Sequence, residues 1–223
     1  MRDPALVRSI FRRIAPHYDV ANHLLSAGFD LWWRHRAAGI AGKWKPQHVL
    51  DVATGSGDLA LAVARRWPEA EIIGADFCPE MLEMARQKGL ANTVVADALH
   101  LPFQDGSFDV VTVAFGLRNM SSWSGALAEM ARVLESGGHL LVLDFSLPRS
   151  PVRKAYRFYL RHCLPWLASV VTGQKDAYDY LGDSIERFPR GAEMIRLIEG
   201  SGFTKVDVLL MTGGIASLYL AQK

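Results

Sequence analysis

The residues whose types and spacing could do chemistry begin with Asp51-Val52-Ala53-Thr54-Gly55-Ser56-Gly57-Asp58. An apolar β-branched run leads into a glycine pair and then a helical pattern, which spells a buried strand, a tight turn and a helix start. Glycine accepts left-handed backbone angles and lets the backbone approach a ligand closely, so Gly55, Ser56 and Gly57 can form a nucleotide shelf at the carboxyl end of a strand. Gly55 to Ala60 also satisfies GxGxxA, which describes dinucleotide sites, and a ligand-free turn can have the same spelling. Charge separates the ligands. A diphosphate on the shelf would be repelled by Asp51 and Asp58, whereas a ligand with a cationic amino-acid end and a sulfonium would be attracted. S-adenosylmethionine is such a ligand. Asp76, at the tip of Ile72 to Asp76, stands where an acid grips both ribose hydroxyls. Asp97-Ala98 closes a third run and offers a carboxylate to an adenine amino group between the apolar walls Phe77 and Leu99. Singly, each acid reads as a solvated loop residue or a helix cap; three at successive strand ends read as a site.

From His48 onward, short β-branched runs alternate with helical patterns: Val49 to Ala53, Leu59 to Trp67, Glu71 to Asp76, Pro79 to Lys88, Thr93 to Ala96, Asp109 to Phe115, Ala126 to Leu134 and His139 to Phe145. That alternation predicts a Rossmann-like α/β fold, a mostly parallel seven-stranded sheet with helices on both faces. Phe203 to Met211 and Ile215 to Ala221, joined by Gly213-Gly214, predict a C-terminal antiparallel hairpin. Pro79 marks a helix start, and Gly137-Gly138 is read as closing the helix before it. Leu6 to Ile14 and Leu31 to Ile40 are expected to be helices laid over the core.

The length of 223 residues suits one domain, and 50% hydrophobic with 22% charged residues suffices for a full core. The net charge of +2 hides an asymmetry: residues 1–46 carry eight Arg or Lys against three Asp, residues 148–175 carry six and no acid, and the middle is acidic. No apolar stretch approaches the roughly 20 residues needed to span a bilayer, and the first residues lack the pattern of a secretory signal. A cytoplasmic protein is expected. Cys78 and Cys163 form no disulfide framework and read as buried thiols; with no HxxxH or CxxC cluster, no metal is expected. No nucleic-acid recognition motif or aromatic stacking platform accompanies the arginines, so no nucleic-acid partner is expected.

These motifs resemble the class I methyltransferases and, within them, the demethylmenaquinone and 2-polyprenyl-6-methoxybenzoquinol C-methyltransferase family. The narrower signals are Ile10-Phe11 through Tyr18-Asp19 and Asn22, Leu25 to Gly28, Trp32-Trp33, Phe115-Gly116-Leu117-Arg118-Asn119, Asp144-Phe145-Ser146 with Pro148, and Tyr178 to Ile185. The similarity runs from about residue 8 to the C-terminus. Ala114 departs from the pattern, standing where a hydroxyl-bearing residue is common, and Asp144 stands where the family more often has Glu. The resemblance implies transfer of a methyl from S-adenosylmethionine to a ring carbon of a polyprenylated quinol, demethylmenaquinol first. It places Ser56, Asp76 and Asp97-Ala98 at the cofactor; Asp51, Gly55, Gly57, Phe77 and Phe115 are expected beside them as further contacts. It makes residues 1–46 a helical lid and 148–185 a helical substrate cover. The alternatives are an O- or N-methyltransferase of small molecules and a cofactor-binding subunit without turnover.

Carbon methylation of a quinol needs an ionised phenol, since the phenolate pushes electron density into the ring. Arg118 and Asn119 follow the fourth strand, where the methyl is expected. Arginine stays protonated, so Arg118 is expected to stabilise the phenolate and Asn119 to position the hydroxyl or a water. The blander reading pairs Arg118 with a carboxylate that pins the loop. Tyr18 is a candidate hydrogen-bond partner of the quinol, and the neighbouring His17 reads as a satisfied histidine. The basic and aromatic run Val152 to Arg161, followed by apolar Leu164 to Val171, reads either as a cover helix or as a surface docking residues 149–171 on anionic lipid.

Overall fold

The computed structural model describes residues 26–148, 151–163 and 175–223, together with Ser9, Arg12 and His23. Tyr18 and His17 lie outside the described residues, as do Arg149, Leu164 to Val171 and all of the first expected helix except Ser9 and Arg12.

Seven strands form one sheet: β1 (His48–Val52), β2 (Glu71–Asp76), β3 (Asn92–Val95), β4 (Phe108–Ala114), β5 (Leu134–Phe145), β6 (Thr204–Met211) and β7 (Ala216–Gln222). Their order is β3-β2-β1-β4-β5-β7-β6. All neighbours are parallel except β7, which runs antiparallel to both β5 and β6. The expected hairpin is therefore present, with β7 inserted beside β5 and β6 left at the edge.

The central strands are buried on both faces, and their alternate residues feed two separate cores. Val49, Val110, Leu141 and Leu218 pack under α1 (Phe29–Ala41) and α2 (Asp58–Arg66), meeting Ala37, Ala41, Ala60 and Val63. Leu50, Val111, Leu140 and Tyr219 point the other way, against Leu127 and Met130 of α4 (Trp123–Val133) and Met194 and Ile198 of α7 (Ala192–Glu199). The intervening helices are α3 (Pro79–Gln87), α5 (Val152–Phe158) and α6 (Lys175–Arg187). Pro79 is the first residue of α3, as its fixed φ favours.

One expected boundary is wrong. The helix α4 ends at Val133, and Leu134 already pairs with Phe108, so Gly137-Gly138 lies inside β5 and not at a helix end. The register slips between Phe108 and Val110. Gly137 takes φ 84°, and a Cβ on Gly138 would stand 3.0 Å from the Glu135 carbonyl oxygen. The glycine pair makes a strand irregularity that a side chain would obstruct.

The chain changes direction from β1 outward on either side, to β2 and to β4, and the loops leaving β1 and β4 meet above this point. Ala53 and Phe115 both adopt left-handed φ, at 51° and 58°. A Cβ on Gly116 would come within 2.5 Å of the Ala53 Cβ. Replacing Gly116 with alanine should therefore cost about 1–3 kcal/mol by overpacking. Gly39, inside α1, has room for a Cβ at 3.5 Å from the Arg66 guanidinium. Gly39→Ala should instead add about 0.5–1 kcal/mol through helix propensity. Urea denaturation of both variants checks the opposite signs.

Candidate active site

Two cavities of about 340 Å³ each open beside the carboxyl ends of the strands, and Phe115 lines both. The first is a cleft over the β1–β2–β4 switch point, where open α/β sheets bind ligands. Gly55, Asp76, Phe77, Asp97, Ala98, Phe115 and Asn119 line it, with Met81, Val95 and Leu99 as apolar walls. Its lining holds two carboxylates and, among the described residues, no lysine, arginine or histidine. A ligand with a cationic end and an apolar heterocycle matches that lining, whereas a diphosphate would find two anions and no counter-charge.

Asp76 ends β2 and turns its carboxylate under the glycine loop. Its oxygens accept N–H bonds from Gly55 and Cys78, both at 2.9 Å. Burial nonetheless pushes its carboxyl up to about 6, against the lowering effect of those bonds. Asp97 ends β3's connection, exposed at the cleft rim, and accepts the Leu99 N–H at 2.9 Å. Asp51, Ser56 and Gly57 stand behind the cleft. Asp51 accepts the hydroxyls of Thr54 at 2.6 Å and Thr112 at 2.5 Å, tying the glycine loop to β4. Burial raises Asp51 as well, to about 6. Gly57, at φ 83°, precedes α2, and a Cβ there would press on the Ala85 Cβ at 3.0 Å. Asp58 is drawn outward to Lys88 at 2.7 Å.

The second cavity is an aromatic chamber. Trp33, Phe115, Phe145, Tyr156 and Tyr159 line it, as do Arg34 and Arg118. Trp33 donates its indole N–H to Thr212 Oγ1 at 2.9 Å and meets Phe145 edge-on, ring centroids 5.8 Å apart. Of the tryptophan pair, Trp33 faces inward and Trp32 faces solvent.

Arg118 belongs to this chamber. Its Nη1 donates to Asp144 Oδ1 at 2.8 Å and to the Phe115 carbonyl oxygen, and its backbone N–H reaches Asp144 Oδ2 at 3.3 Å. The carboxylate pairing that would pin the loop is thus present. The guanidinium still has a buried Nε–H with no partner among the described residues, and it lies 5.2 Å from the Phe145 ring centroid. Asn119 follows in the same turn but lines the cleft.

A second buried charge cluster was not legible from motifs. Asp30, on the first turn of α1, accepts Arg34 Nη1 at 2.6 Å and Ser26 Oγ at 2.5 Å, and its Oδ2 lies 2.8 Å from His23 Nδ1. Burial opposes its ionisation, yet Ser26, Arg34 and His23 together hold it below the usual carboxylate range. The spacing His23, Ser26, Asp30, Arg34 follows a helical face, which is the one sequence signal it left.

The basic segment is partly neutralised. Arg157 and Arg161 both reach Glu186 of α6, at 3.0 and 2.7 Å, and Arg153 Nε donates to the Pro148 carbonyl oxygen. Leu160 packs with Leu147 and Ile185, and Tyr156, Tyr159 and Leu160 line the chamber. Cys78 is buried, and its thiol is pushed up to about 11, first by burial.

The sheet order with one reversed strand, and a cationic-ligand cleft at its switch point, define a class I S-adenosylmethionine-dependent methyltransferase. The fold is shared with a methyltransferase of Thermotoga maritima described as a possible histamine N-methyltransferase, at 20% identity and TM-score 0.66, covering 96% of this chain and 99% of that one. Human N-acetylserotonin methyltransferase in complex with S-adenosylmethionine gives TM-score 0.61 at 20% identity, over 88% of this chain and 54% of that one. The profile of the ubiE/COQ5 methyltransferase family matches residues 2–223, and the chain belongs to that family. The demethylmenaquinone methyltransferase of Thermus thermophilus is 44% identical over 96% of this chain and all of its own length. The ubiquinone/menaquinone biosynthesis C-methyltransferase of Dinoroseobacter shibae is 40% identical over 98% and 90%. The expected fold, enzyme class and cofactor therefore stand.

The buried acids give a pH signature. Because Asp51 and Asp76 are raised from 3.8 to about 6, the folded protein binds more protons than the unfolded chain between about pH 4 and 6. Their contribution to stability therefore falls as pH rises through that window. Asp51→Asn should flatten this descent, read as unfolding free energy in urea at successive pH values.

Proposed function

We propose that this methyltransferase carries a methyl group to a ring carbon of a polyprenylated quinol, demethylmenaquinol first. The observation that carries this reading is the pairing of the cleft with an adjoining aromatic chamber, divided by Phe115 and lined by Arg118, whose buried Nε–H has no partner among the described residues. The aromatic chamber suits a quinol ring, and the names of the relatives point to the same substrates.

When bound, S-adenosylmethionine supplies an electrophilic methyl on a sulfonium. The residues suited to hold it are Asp76 and Asp97 for the hydroxyl and amino groups, Gly55 for close backbone approach, and Phe77 and Leu99 against the adenine, with Ala98 and Phe115 completing the wall. Asp51, Ser56 and Gly57 act behind them by fixing the loop. Arg118 donates Nε–H to the phenolate oxygen, with its orientation fixed by Asp144, and Asn119 positions the hydroxyl from the cleft side. A preorganised donor in a water-poor site stabilises developing negative charge at little reorganisation cost. Ala114 has no hydroxyl to contribute here and leaves that contact to backbone.

Residues 1–46 and 148–185 serve as lid and cover of the chamber, and the prenyl tail leaves between them toward a membrane. Phe29, Leu31 and Trp32 on α1 and Val152 and Phe158 on α5 are exposed apolar side chains that support this docking, together with the exposed Lys154. No described helix is long and apolar enough to cross a membrane.

Incubation with labelled cofactor and each of demethylmenaquinol, the benzoquinol precursor and simple phenols, read by product mass, tests the substrate; label on oxygen or nitrogen would overturn carbon methylation. Removing Arg118 alone strands a buried Asp144, so the informative variant is Arg118→Gln with Asp144→Asn. It should keep cofactor affinity by calorimetry while losing about 10²–10³-fold in kcat. On vesicles rich in anionic lipid, the protein should float at low salt and release at high salt, and Trp32→Ala with Phe158→Ala should float less.

A further inference from the structure

The phenolic proton needs an acceptor, and among the described residues that line the chamber none supplies one. Arg118 and Arg34 are permanent cations, and each is committed to a buried carboxylate. Asp144 accepts Arg118 and the backbone N–H groups of Arg118 and Phe145. Burial pushes the Tyr156 hydroxyl far above its ordinary range, so it stays a neutral phenol. Asp30 is held ionised and fully engaged by Ser26, Arg34 and His23.

We propose that His23, oriented by Asp30, is the proton acceptor for the quinol hydroxyl. This rests on the quinol reading above. Asp30 and Ser26 both line the chamber, and His23 Nδ1 lies 2.8 Å from Asp30 Oδ2, so the imidazole stands one hydrogen bond behind the chamber wall. Its side chain is 31% exposed while that of Asp30 is 3% exposed, which makes His23 the link between a sealed carboxylate and solvent. With Nδ1–H donating to Asp30, the neutral ring presents Nε2 as an acceptor, the arrangement by which a buried carboxylate orients a catalytic imidazole. Arg34 keeps Asp30 anionic and lies over Phe115, its Cζ 4.9 Å from the ring centroid, so this pole and the Arg118 pole meet at the same ring.

The proton balance is closed. The phenolic O–H breaks, its electron pair stays on oxygen, and the proton goes to His23 Nε2 through water. The ring carbon then forms a bond to the methyl as the carbon–sulfur bond breaks, with that pair staying on sulfur. The proton on that ring carbon then passes through water to the keto oxygen, which restores the aromatic phenol. Each methyl transferred thus releases one proton net, which His23 passes to solvent. Among the described residues, the charged and titratable groups facing this path are Asp30 and Arg34 on α1, Arg118 with Asp144 across Phe115, and Tyr156 and Tyr159 from the cover.

The test uses the whole chain and two readouts. In wild-type protein without cofactor, 1-naphthol serves as a phenol probe, and its ionisation when bound is followed by phenolate absorbance against pH. His23→Gln should move that ionisation upward by about one pH unit, a tenfold change in proton affinity. In turnover with demethylmenaquinol, the same variant should lose the acidic limb of its kcat/KM profile and fall at least tenfold in kcat. Added imidazole should restore part of the rate to His23→Gly, while KM and cofactor affinity stay within about twofold. Identical naphthol ionisation in the two proteins, or an unchanged profile in an active variant, overturns the assignment of His23. Wild-type protein that shifts naphthol ionisation as described but never methylates a quinol overturns the substrate reading instead.

Discussion

A carboxylate buried at the end of the central strand holds the site together. Asp51 is 1% exposed, and it binds one hydroxyl from its own loop and one from the neighbouring strand. Through Thr54 it fixes where the glycine turn leaves β1, and through Thr112 it fixes β4, whose own loop carries Phe115 and Arg118. The desolvation cost that raises Asp51 is only partly offset by those bonds, and the structure keeps an acid here despite it. The two loops approach each other closely at Ala53 and Gly116, where a Cβ on Gly116 would meet the Ala53 Cβ.

The second organising element is Phe115. Its left-handed φ turns the chain sharply after β4 and puts one aromatic ring between two cavities. Strained backbone of this kind persists only where its surroundings over-determine it. Here Trp33, Phe145 and Arg34 surround the ring, with centroid distances of 6.0, 4.6 and 4.9 Å. Two ion pairs flank it, Asp30 with Arg34 and Asp144 with Arg118. Buried pairs of this sort contribute little net stability against apolar replacements, and they hold charges at fixed places beside the chamber. That placement suits the proposed reaction, which develops and then removes negative charge on an aromatic oxygen.

Much of this was readable in the chain. The alternation of strand and helix patterns predicted the sheet because central parallel strands need near-continuous apolar runs, and Val49 to Val52 and Val110 to Val113 supply them. The end of α4 was misread because Gly137-Gly138 looks like a helix stop, while the pairing of Leu134 with Phe108, a contact of distant residues, ends the helix earlier. The cleft acids Asp76 and Asp97 were found from their strand-end positions. Asp51 was read as a ligand contact, yet its side chain points to Thr112, a partner 61 residues away that no local pattern reveals.

By itself, then, the order of residues determined the sheet, the glycine loop, the acidic strand ends and the class of ligand, because backbone propensity, side-chain alternation and formal charge are local properties. Only the tertiary structure decided that Arg118 faces Asp144 and the chamber while its neighbour Asn119 faces the cleft, and that His23, Asp30 and Arg34 converge behind Phe115. Which way a side chain turns, and which charges share a desolvated space, depend on burial made by elements far apart in the chain.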